Sequence, residues 1–416
     1  MPMSAPAKLS EKSILLNAAV IVAALGYFVD IYDLVLFSIV RIPSLQELGI
    51  TAQSELLEKG VLLLNMQMAG MLLGGIGWGI LGDKRGRLSV LFGSIFLYSI
   101  ANIMNGFVQD IYMYAFLRFV AGLGLAGELG AGITLVSEVL PKEKRGYGTM
   151  IVATIGISGA VIAGAVGDYF GWRTAYFIGG GLGLLLLFLR LGVYESSMFK
   201  NVKAVEDVTR GNFLSLFTNG KRFWKYLKCI LIGIPIWFVV GILITFSPEF
   251  GVELGVQEAV SAGKAVSFCY LGLTFGDLIS GYLSQRLGSR RKVVMAFLGL
   301  SAVFILMMLL GRDFSINRFY LLCTALGFAS GYWAVFITIA AEQFGTNIRA
   351  TVTTTVPNFV RGAVVPLTLT FEALRHPLGF LPTAMLLAAV CLAIAIVSIF
   401  TLEETFSKEL DYLEPI

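Results

Sequence analysis

The chain alternates between long apolar runs and short polar connections. Each run has about 20 residues or more, enough for a helix to cross the ~30 Å hydrocarbon core of a bilayer. The pattern predicts an all-α membrane protein with twelve spanning helices. The predicted spans are residues 14–40, 60–82, 88–107, 111–138, 147–168, 172–193, 224–248, 261–284, 292–311, 316–341, 350–373 and 379–402.

One connection is much longer than the others. Residues 195–223 include the polar run NVKAVEDVTRGNF and separate six predicted spans from six. We therefore predict a first six-helix bundle at residues 1–194, a linker at 195–223 and a second six-helix bundle at 224–416.

Composition agrees with a protein whose main partner is the lipid bilayer. The 416 residues are 57% hydrophobic and 14% charged, whereas soluble domains carry about 25% charged residues. The four cysteines all fall within predicted spans, where they read as small buried hydrophobic residues without disulfides.

Lysine and arginine collect in alternate connections. Runs such as DKRGR at 83–87 and PKEKRG at 141–146 fall on the same side as the central linker. By the positive-inside rule, that side is cytoplasmic and both termini lie there. The net charge of +4 reflects this bias and predicts no nucleic-acid partner. Short loops without targeting tails favour a bacterial inner membrane.

The two halves share an internal repeat. GILGDKRGRLSVL at 79–91 matches GYLSQRLGSRRKV at 281–293 in two glycines and a leucine, at an offset of 202. A Glu–Arg pair also recurs, at an offset of 204: Glu138 and Arg145, then Glu342 and Arg349. Two halves with the same orientation indicate a parallel repeat, an architecture of transporters whose binding site lies between the halves.

These motifs resemble those of the major facilitator superfamily. GILGDKRGR resembles its signature loop between helices 2 and 3, and RFVAGLGLAGELGAG at 118–132 resembles helix 4 of the branch of sugar porters, phosphate symporters and metabolite:proton symporters. Further matches are EVLPKEKRG (138–146), GWRTAYF (171–177), YESSMF (194–199) and LEETF (402–406). The resemblance implies a monomeric secondary transporter that works by alternating access.

The subclass within that branch stays open from these motifs. GELG at 127–130 looks most like the metabolite:proton symporters, whereas FVDIYDLVLF at 28–37 is similar to helix 1 of the phosphate symporters. Gln285 and Ala350 depart from the family pattern, which has an acid and a glycine there. GISGAVIAGAVG at 156–167 lacks the proline of drug exporters, which favours uptake over export.

Asp30 and Asp33 interrupt the first apolar run. They are three residues apart, so they share one helix face, and that face will not point at lipid. Counted at ~1.5 Å per residue, Asp33 lies roughly 12 Å below the outer end of its span and Arg118 roughly 10 Å below the same end. We expect an acid–Arg118 pair. By resemblance to sugar porters it would be a protonation switch; the alternative is a static ion pair.

Two more charges lie inside predicted spans. Glu128 is either a second proton site or the partner of a cation near the helix ends. Arg361, near the centre of span 11, either binds an anionic substrate through its fork of donors or pairs with Asp277. Asn358 lies one turn from Arg361 and favours the substrate role.

Buried polar and aromatic residues supply further candidates for substrate contact. Each could equally be a packing residue. They are Asn65, Gln67, Trp237, Tyr270, Tyr332 and Trp333.

Charged residues at the predicted cytoplasmic ends form the last group. Asp83 can face a helix N-terminus or a cation. In the family that the chain resembles, such groups close the inner gate; the alternative is ordinary positive-inside charge. The candidates are Asp83, Arg87, Glu138, Arg145, Glu195, Arg290, Arg291, Glu342, Arg349 and Glu403.

Together these features predict a secondary transporter that imports a small polar solute with protons. A carboxylate is the first expectation; sugar, phosphate, a zwitterion, export, and a sensor without transport stay open. The sequence has no nucleophile–base constellation, metal cluster or nucleotide loop. We therefore expect no enzyme and no cofactor beyond the proton gradient.

Overall fold

The computed structural model describes residues 18–140, 145–190, 211–406 and 412–414, and these ranges are helical apart from short connections. The first half contains α1 (Ala18–Glu47), α2 (Gln53–Arg85), α3 (Arg87–Asn105), α4 (Ile111–Leu125), α5 (Glu128–Val139), α6 (Arg145–Ile157), α7 (Gly159–Tyr169) and α8 (Trp172–Leu189). The second half contains α9 (Ser215–Thr218), α10 (Gly220–Phe238), a π-helix (Val239–Ile244), α11 (Ser247–Glu253), α12 (Ala262–Arg286), α13 (Arg290–Leu310), α14 (Ile316–Ser330), α15 (Trp333–Gln343), α16 (Arg349–Gly362), α17 (Val364–Leu378) and α18 (Phe380–Thr401).

Within these ranges, eleven helical segments are long and apolar enough to cross a membrane. The eleventh predicted span, residues 350–373, falls on α16 and α17 and does not meet that measure. The sequence of α16, RATVTTTVPNFVRG, is rich in hydroxyl side chains and carries two arginines, Arg349 just before the predicted span and Arg361 within it. The all-helical, twelve-span fold class is confirmed, and the most polar span is the one that carries Arg361.

Several spans are broken near their middle. Ala126 and Gly127 separate α4 from α5, and Ser158 separates α6 from α7. The break between α14 and α15 falls at Gly331 and Tyr332. A break frees backbone N–H and C=O groups that lipid cannot satisfy, so such groups are tolerated where protein surrounds them.

The sequence repeat reappears as a repeated helix contact. A Cβ on Gly70 of α2 would meet the carbonyl oxygen of Phe119 in α4, and a Cβ on Gly272 of α12 would meet that of Thr324 in α14. Glycine lets two helix backbones approach this closely. Gly70 and Gly272 are 202 residues apart, the offset of the sequence repeat.

We expect Gly70→Val to destabilise the fold, because the added side chain would meet main chain that cannot move aside. Overpacking of this kind costs about 1–3 kcal/mol. Gly77→Val is the matched control, since no atom lies within 4 Å of a Cβ at Gly77 in the same helix. Melting of the purified protein in detergent should show a lower Tm for the first variant only. Equal Tm values would contradict the close contact.

Candidate functional site

A narrow cavity, called the central site below, lies between the two halves. Its volume is about 20 Å³, the space of a single water molecule. The lining residues are Tyr27, Ile31, Ile157, Ile236, Trp237, Val240, Tyr270, Leu273, Trp333 and Arg361. Helices of both halves supply these side chains, so the halves are closed around the central site in this structure.

Arg361 of α16 brings a positive charge to the central site. Its side chain is 1% exposed, and its Nη1 donates to Asn358 Oδ1 at 3.3 Å. Nε and Nη2 have no hydrogen-bond partner among the described residues. A guanidinium presents five N–H donors in a planar fork that matches a carboxylate. Arg361 therefore keeps donors for an anion at a buried position.

Indole rings flank this guanidinium on two sides. The Cζ of Arg361 lies 5.7 Å from the ring centroid of Trp237 and 5.5 Å from that of Trp333. Both distances fall in the cation–π range. Tyr27 and Tyr270 line the same cavity. The central site thus combines a cation with flat aromatic walls.

Asp30 of α1 faces Arg361 across the boundary between the halves. Its Oδ2 lies 4.0 Å from Arg361 Nη2, and neither of its oxygens has a hydrogen-bond partner among the described residues. Both side chains are buried. This charge pair is close but not hydrogen-bonded, so another acceptor could take the place of Asp30 on Arg361.

The expected ion pair between Asp33 and Arg118 is not formed in this structure. Arg118 Nη2 donates to Gln67 Oε1, and Nη1 donates to the Tyr176 hydroxyl at 3.5 Å. Asp33 instead lies against α8, where a Cβ on Gly179 would meet its Oδ1. Residue counting predicts the same depth for the two groups, but no ion pair joins them in the structure.

The alternative pair of Arg361 with Asp277 is not formed either. Asp277 Oδ1 accepts a hydrogen bond from the backbone N–H of Ala334 at 2.8 Å. That N–H is one of those freed where α14 breaks before α15. Asp277 therefore stabilises a helix N-terminus, and Asp30 is the acid that faces Arg361.

Asn358 connects Arg361 to the opposite half. Besides accepting from Arg361, it donates through Nδ2 to the carbonyl of Ala126 at 2.7 Å. Ala126 lies at the break between α4 and α5. Asn358 thus satisfies a freed carbonyl in one half and orients the cation in the other.

Three other predicted substrate contacts do not line the central site. Gln67 bonds Arg118 and donates to the carbonyl of Leu34 at 3.3 Å. Asn65 Oδ1 accepts from Thr368 Oγ1 at 2.9 Å, and the Tyr332 hydroxyl donates to the carbonyl of Ile232 at 3.0 Å. Their polar groups are engaged in holding helices together.

Sequence reasoning missed Tyr27 and Ile31 as members of the central site. A signal was present, because Tyr27, Asp30 and Ile31 are spaced i, i+3 and i+4 and so share one helix face. The sequence already predicted that the acidic face of α1 points away from lipid. Aliphatic residues of the second half also line the cavity, such as Ile236 and Val240. Nothing in the sequence distinguishes them from other aliphatic residues of the spans.

Glu128 is the partner of a cation, one of its two predicted roles. Arg190 Nη1 donates to Glu128 Oε2 at 3.0 Å, and Nη2 donates to Glu128 Oε1. Arg190 also donates to the carbonyls of Leu91 at 3.1 Å and Val22 at 3.4 Å. Both side chains are buried. This pair ties four helical segments of the first half together.

Asp83 joins the two halves at the end of the bundle where α2 finishes, the end that the sequence predicts to be cytoplasmic. It accepts from the backbone N–H groups of Ala350 at 3.2 Å and Thr351 at 2.8 Å, and from Thr351 Oγ1 at 2.7 Å. Its carboxylate therefore faces the N-terminus of α16, as one of the sequence interpretations expected. We call this contact between the halves the inner latch.

The charged candidates of the second half form contacts within that half. Arg290 Nη2 lies 3.2 Å from Glu342 Oε1. Arg291 donates to the carbonyls of Ile399 and Phe400, and Arg349 Nε donates to the carbonyl of Ala341 at 3.3 Å. These bonds join the inner ends of neighbouring helices.

Glu403 is a predicted gate residue, and its side chain is exposed. The adjacent Glu404 caps α13, because it accepts from Ser289 Oγ at 2.5 Å and from the backbone N–H of Arg290 at 3.0 Å. Partial burial opposes the charge on Glu404, but these hydrogen bonds outweigh it and lower its pKa. The two adjacent acids could not be told apart from sequence.

Four further candidates for the inner gate cannot be placed. Glu195 lies outside the described residues, and so do the side chains of Arg87, Glu138 and Arg145. Their part in gating stays a prediction.

Comparison with known proteins agrees with the fold. Residues 23–368 match the family model of the Major Facilitator Superfamily. Among solved structures, the proton:xylose symporter XylE bound to 6-bromo-6-deoxy-D-glucose superposes with a TM-score of 0.71 and covers 96% of this chain and 98% of that one. The sequence identity is 15%, so this likeness concerns the fold alone.

Named relatives are more similar in sequence. The putative niacin/nicotinamide transporter NiaP of Bacillus subtilis is 28% identical over 361 residues, which is 82% of this chain and 86% of the relative. The sialic acid transporter NanX of Escherichia coli is 26% identical over 371 residues, which is 86% of this chain and 87% of the relative.

We expect Glu128→Gln to lower stability, because it leaves Arg190 buried without a counter-charge. Removing one partner of a buried pair typically costs about 3–5 kcal/mol. Glu55→Gln is the control, since Glu55 is an exposed acid at the start of α2. Thermal melting in detergent measures both. A Glu128→Gln protein with wild-type stability but altered proton flux would instead favour the second predicted role, a proton site.

Proposed function

The chain belongs to the major facilitator superfamily, and from that premise we propose that it imports a small organic anion together with protons by alternating access. The family consists of transporters, so the chain is a membrane transporter and not an enzyme. The observation that carries the proposal is the buried guanidinium of Arg361 between the halves, whose Nε and Nη2 lack hydrogen-bond partners among the described residues.

The charge of Arg361 argues for an anionic substrate. A cation held away from water needs an anion beside it, because desolvation makes the unpaired charge costly. Asp30 serves that need incompletely, at 4.0 Å and without a hydrogen bond. A substrate carboxylate could accept two parallel N–H bonds from the planar fork, which is a stronger arrangement.

The walls of the central site argue for a substrate with a flat ring. Trp237 and Trp333 present indole faces around Arg361, and Tyr27 and Tyr270 add two phenol rings. Aromatic faces favour stacking on another ring by about 0.5–1.5 kcal/mol beyond burial. The name of one relative gives niacin, an aromatic carboxylic acid, together with its uncharged amide nicotinamide, and the name of the other gives sialic acid, also a carboxylic acid. We propose an aromatic carboxylate as the preferred class.

The geometry around Asp30 supports proton coupling through that residue. A substrate carboxylate on Arg361 would displace Asp30 from its counter-charge. A buried carboxylate without a counter-charge is favoured in its protonated, neutral form. Binding of the anion and binding of a proton to Asp30 would therefore assist each other, and by linkage the assistance is equal in both directions. Asp33 lies farther along the same helix and does not face Arg361.

Alternating access requires that the central site open to one side at a time. The inner latch closes one end, and the volume of about 20 Å³ leaves no room for a substrate. Substrate entry therefore needs the halves to move apart. Breaking a few contacts between rigid halves is the kind of two-state change by which such transporters work.

Proton flux into proteoliposomes loaded with a pH dye tests this function. We expect nicotinate to acidify proteoliposomes faster than it acidifies protein-free vesicles, and we expect no such excess with xylose, betaine or inorganic phosphate. Arg361→Lys should lower uptake roughly 10- to 100-fold, since charge-assisted hydrogen bonds contribute about 1.5–3 kcal/mol. Asp30→Asn should keep substrate exchange but lose proton movement, with Asp33→Asn as the matched variant on the same helix.

Other outcomes would redirect the proposal. Proton flux driven by a sugar would contradict the proposal that the substrate is an anion. Proton flux lost in Asp33→Asn and kept in Asp30→Asn would transfer the coupling role to Asp33. No substrate-dependent flux from folded protein would favour export or a sensor without transport.

Ligand binding measured by tryptophan fluorescence tests the aromatic preference separately. Benzoate and cyclohexanecarboxylate carry the same charge on rings of similar size, but one ring is flat and aromatic. We expect benzoate to bind several-fold more tightly, because stacking adds about 0.5–1.5 kcal/mol. Trp333→Leu should reduce that difference. Equal affinities in the wild-type protein would contradict the ring preference and leave the carboxylate requirement intact.

A further inference from the structure

A second charged contact between the halves lies at the end of the bundle opposite Asp83. Arg41 of α1 donates through Nη2 to both carboxylate oxygens of Glu249 in α11, at 2.8 and 2.9 Å. Arg41 is 0% exposed and Glu249 is 7% exposed. The predicted first span ends at residue 40, just before Arg41, but α1 continues to Glu47 and Arg41 is buried.

The surroundings of Arg41 make this a closed contact. Its Nη1 lies 3.5 Å from the carbonyl oxygen of Leu56, to which it donates. Its Cζ lies 4.9 Å from the ring centroid of Phe246. The aromatic ring and the backbone leave Arg41 little access to water, so the charge depends on Glu249.

The contact continues toward the central site. One turn deeper on each side, Ser38 Oγ and Thr245 Oγ1 share a hydrogen bond of 3.1 Å. Ile31, which lines the central site, is ten residues before Arg41 and so about 15 Å below it along α1. The two bonds therefore join the halves at two levels between this end of the bundle and the cavity.

The contact is also remote from the inner latch. Leu56, beside Arg41, and Asp83 lie near opposite ends of α2, about 40 Å apart at 1.5 Å per residue. We infer that Arg41 and Glu249 form the outer latch, a gate that must break each time the central site opens to the side opposite Asp83. This inference rests on the proposed alternating access, but not on the identity of the substrate.

The cost of burying an unpaired charge predicts in which direction a substitution shifts the equilibrium between the closed and the open state. In the closed state, Glu249→Gln leaves Arg41 buried without its counter-charge, which is costly. Opening lets water hydrate Arg41 and removes that cost. A single neutralisation should therefore favour the open state, whereas neutralising both residues leaves no buried charge and should restore closure.

Distances between spin labels test this inference without any transport assay. Nitroxides at Gln53→Cys and Gln257→Cys report on the outer ends of the two halves, since both residues are exposed. The four native cysteines, all buried, are replaced by alanine. We expect Glu249→Gln and Arg41→Gln each to raise the ratio of long to short distances by roughly tenfold or more, and the double variant to return it toward wild type.

Glu253→Gln is the matched control. Glu253 lies one turn along the same helix, is exposed and has no ion pair among the described residues, so its loss should leave the distances unchanged. An unchanged ratio in monodisperse Glu249→Gln and Arg41→Gln proteins would overturn the outer latch. An equal change in Glu253→Gln would also overturn it, by assigning the effect to net charge. Because flux is not measured, a wrong substrate class would not alter this result.

Discussion

The cost of a charge without a partner inside a bilayer governs the arrangement of this protein. Arg190 with Glu128 and Arg41 with Glu249 are hydrogen-bonded through both carboxylate oxygens. Arg361 and Asp30 are buried as deeply but only approach each other. In the first two pairs the carboxylate is hydrogen-bonded to its arginine, whereas in the third Arg361 Nε and Nη2 and both Asp30 oxygens have no hydrogen-bond partner among the described residues. All three pairs are buried, so they differ in whether the two side chains are hydrogen-bonded to each other and not in their exposure.

Much of the fold followed from the sequence, because the length of an apolar run and the position of its charges fix a span almost without tertiary information. The partners of those charges did not follow. Counting residues gave matched depths for Asp33 and Arg118 but not the direction each points around its helix. Asp30 and Arg361 are 331 residues apart in numbering, and their meeting depends on how two halves pack. The separation of two residues along the sequence does not predict such a contact.

The breaks in the spans explain where polar residues gather. Asn358 bonds the carbonyl freed at Ala126, and Asp277 bonds the N–H freed at Ala334. Lipid could satisfy neither group. Sequence reasoning identified Asn358 as a neighbour of Arg361 and Asp277 as its rival partner, because a buried polar side chain was read as serving a ligand or a charge. In both cases the side chain bonds a backbone group at a break in a helix. The amino-acid composition gives little indication of where such breaks fall, so these partners could not be predicted.

Asn358 couples the occupancy of the cavity to the contact between the halves. It holds the guanidinium through its oxygen while its nitrogen reaches the carbonyl of Ala126 in the other half. This bridge is formed around a cavity of only about 20 Å³, so a guest larger than a water molecule has to shift Asn358 or break one of these two bonds. An anion that took over the donors of Arg361 would then be felt in the opposite half, at the break between α4 and α5. One amide side chain thereby gives the two bundles a common response to the same guest.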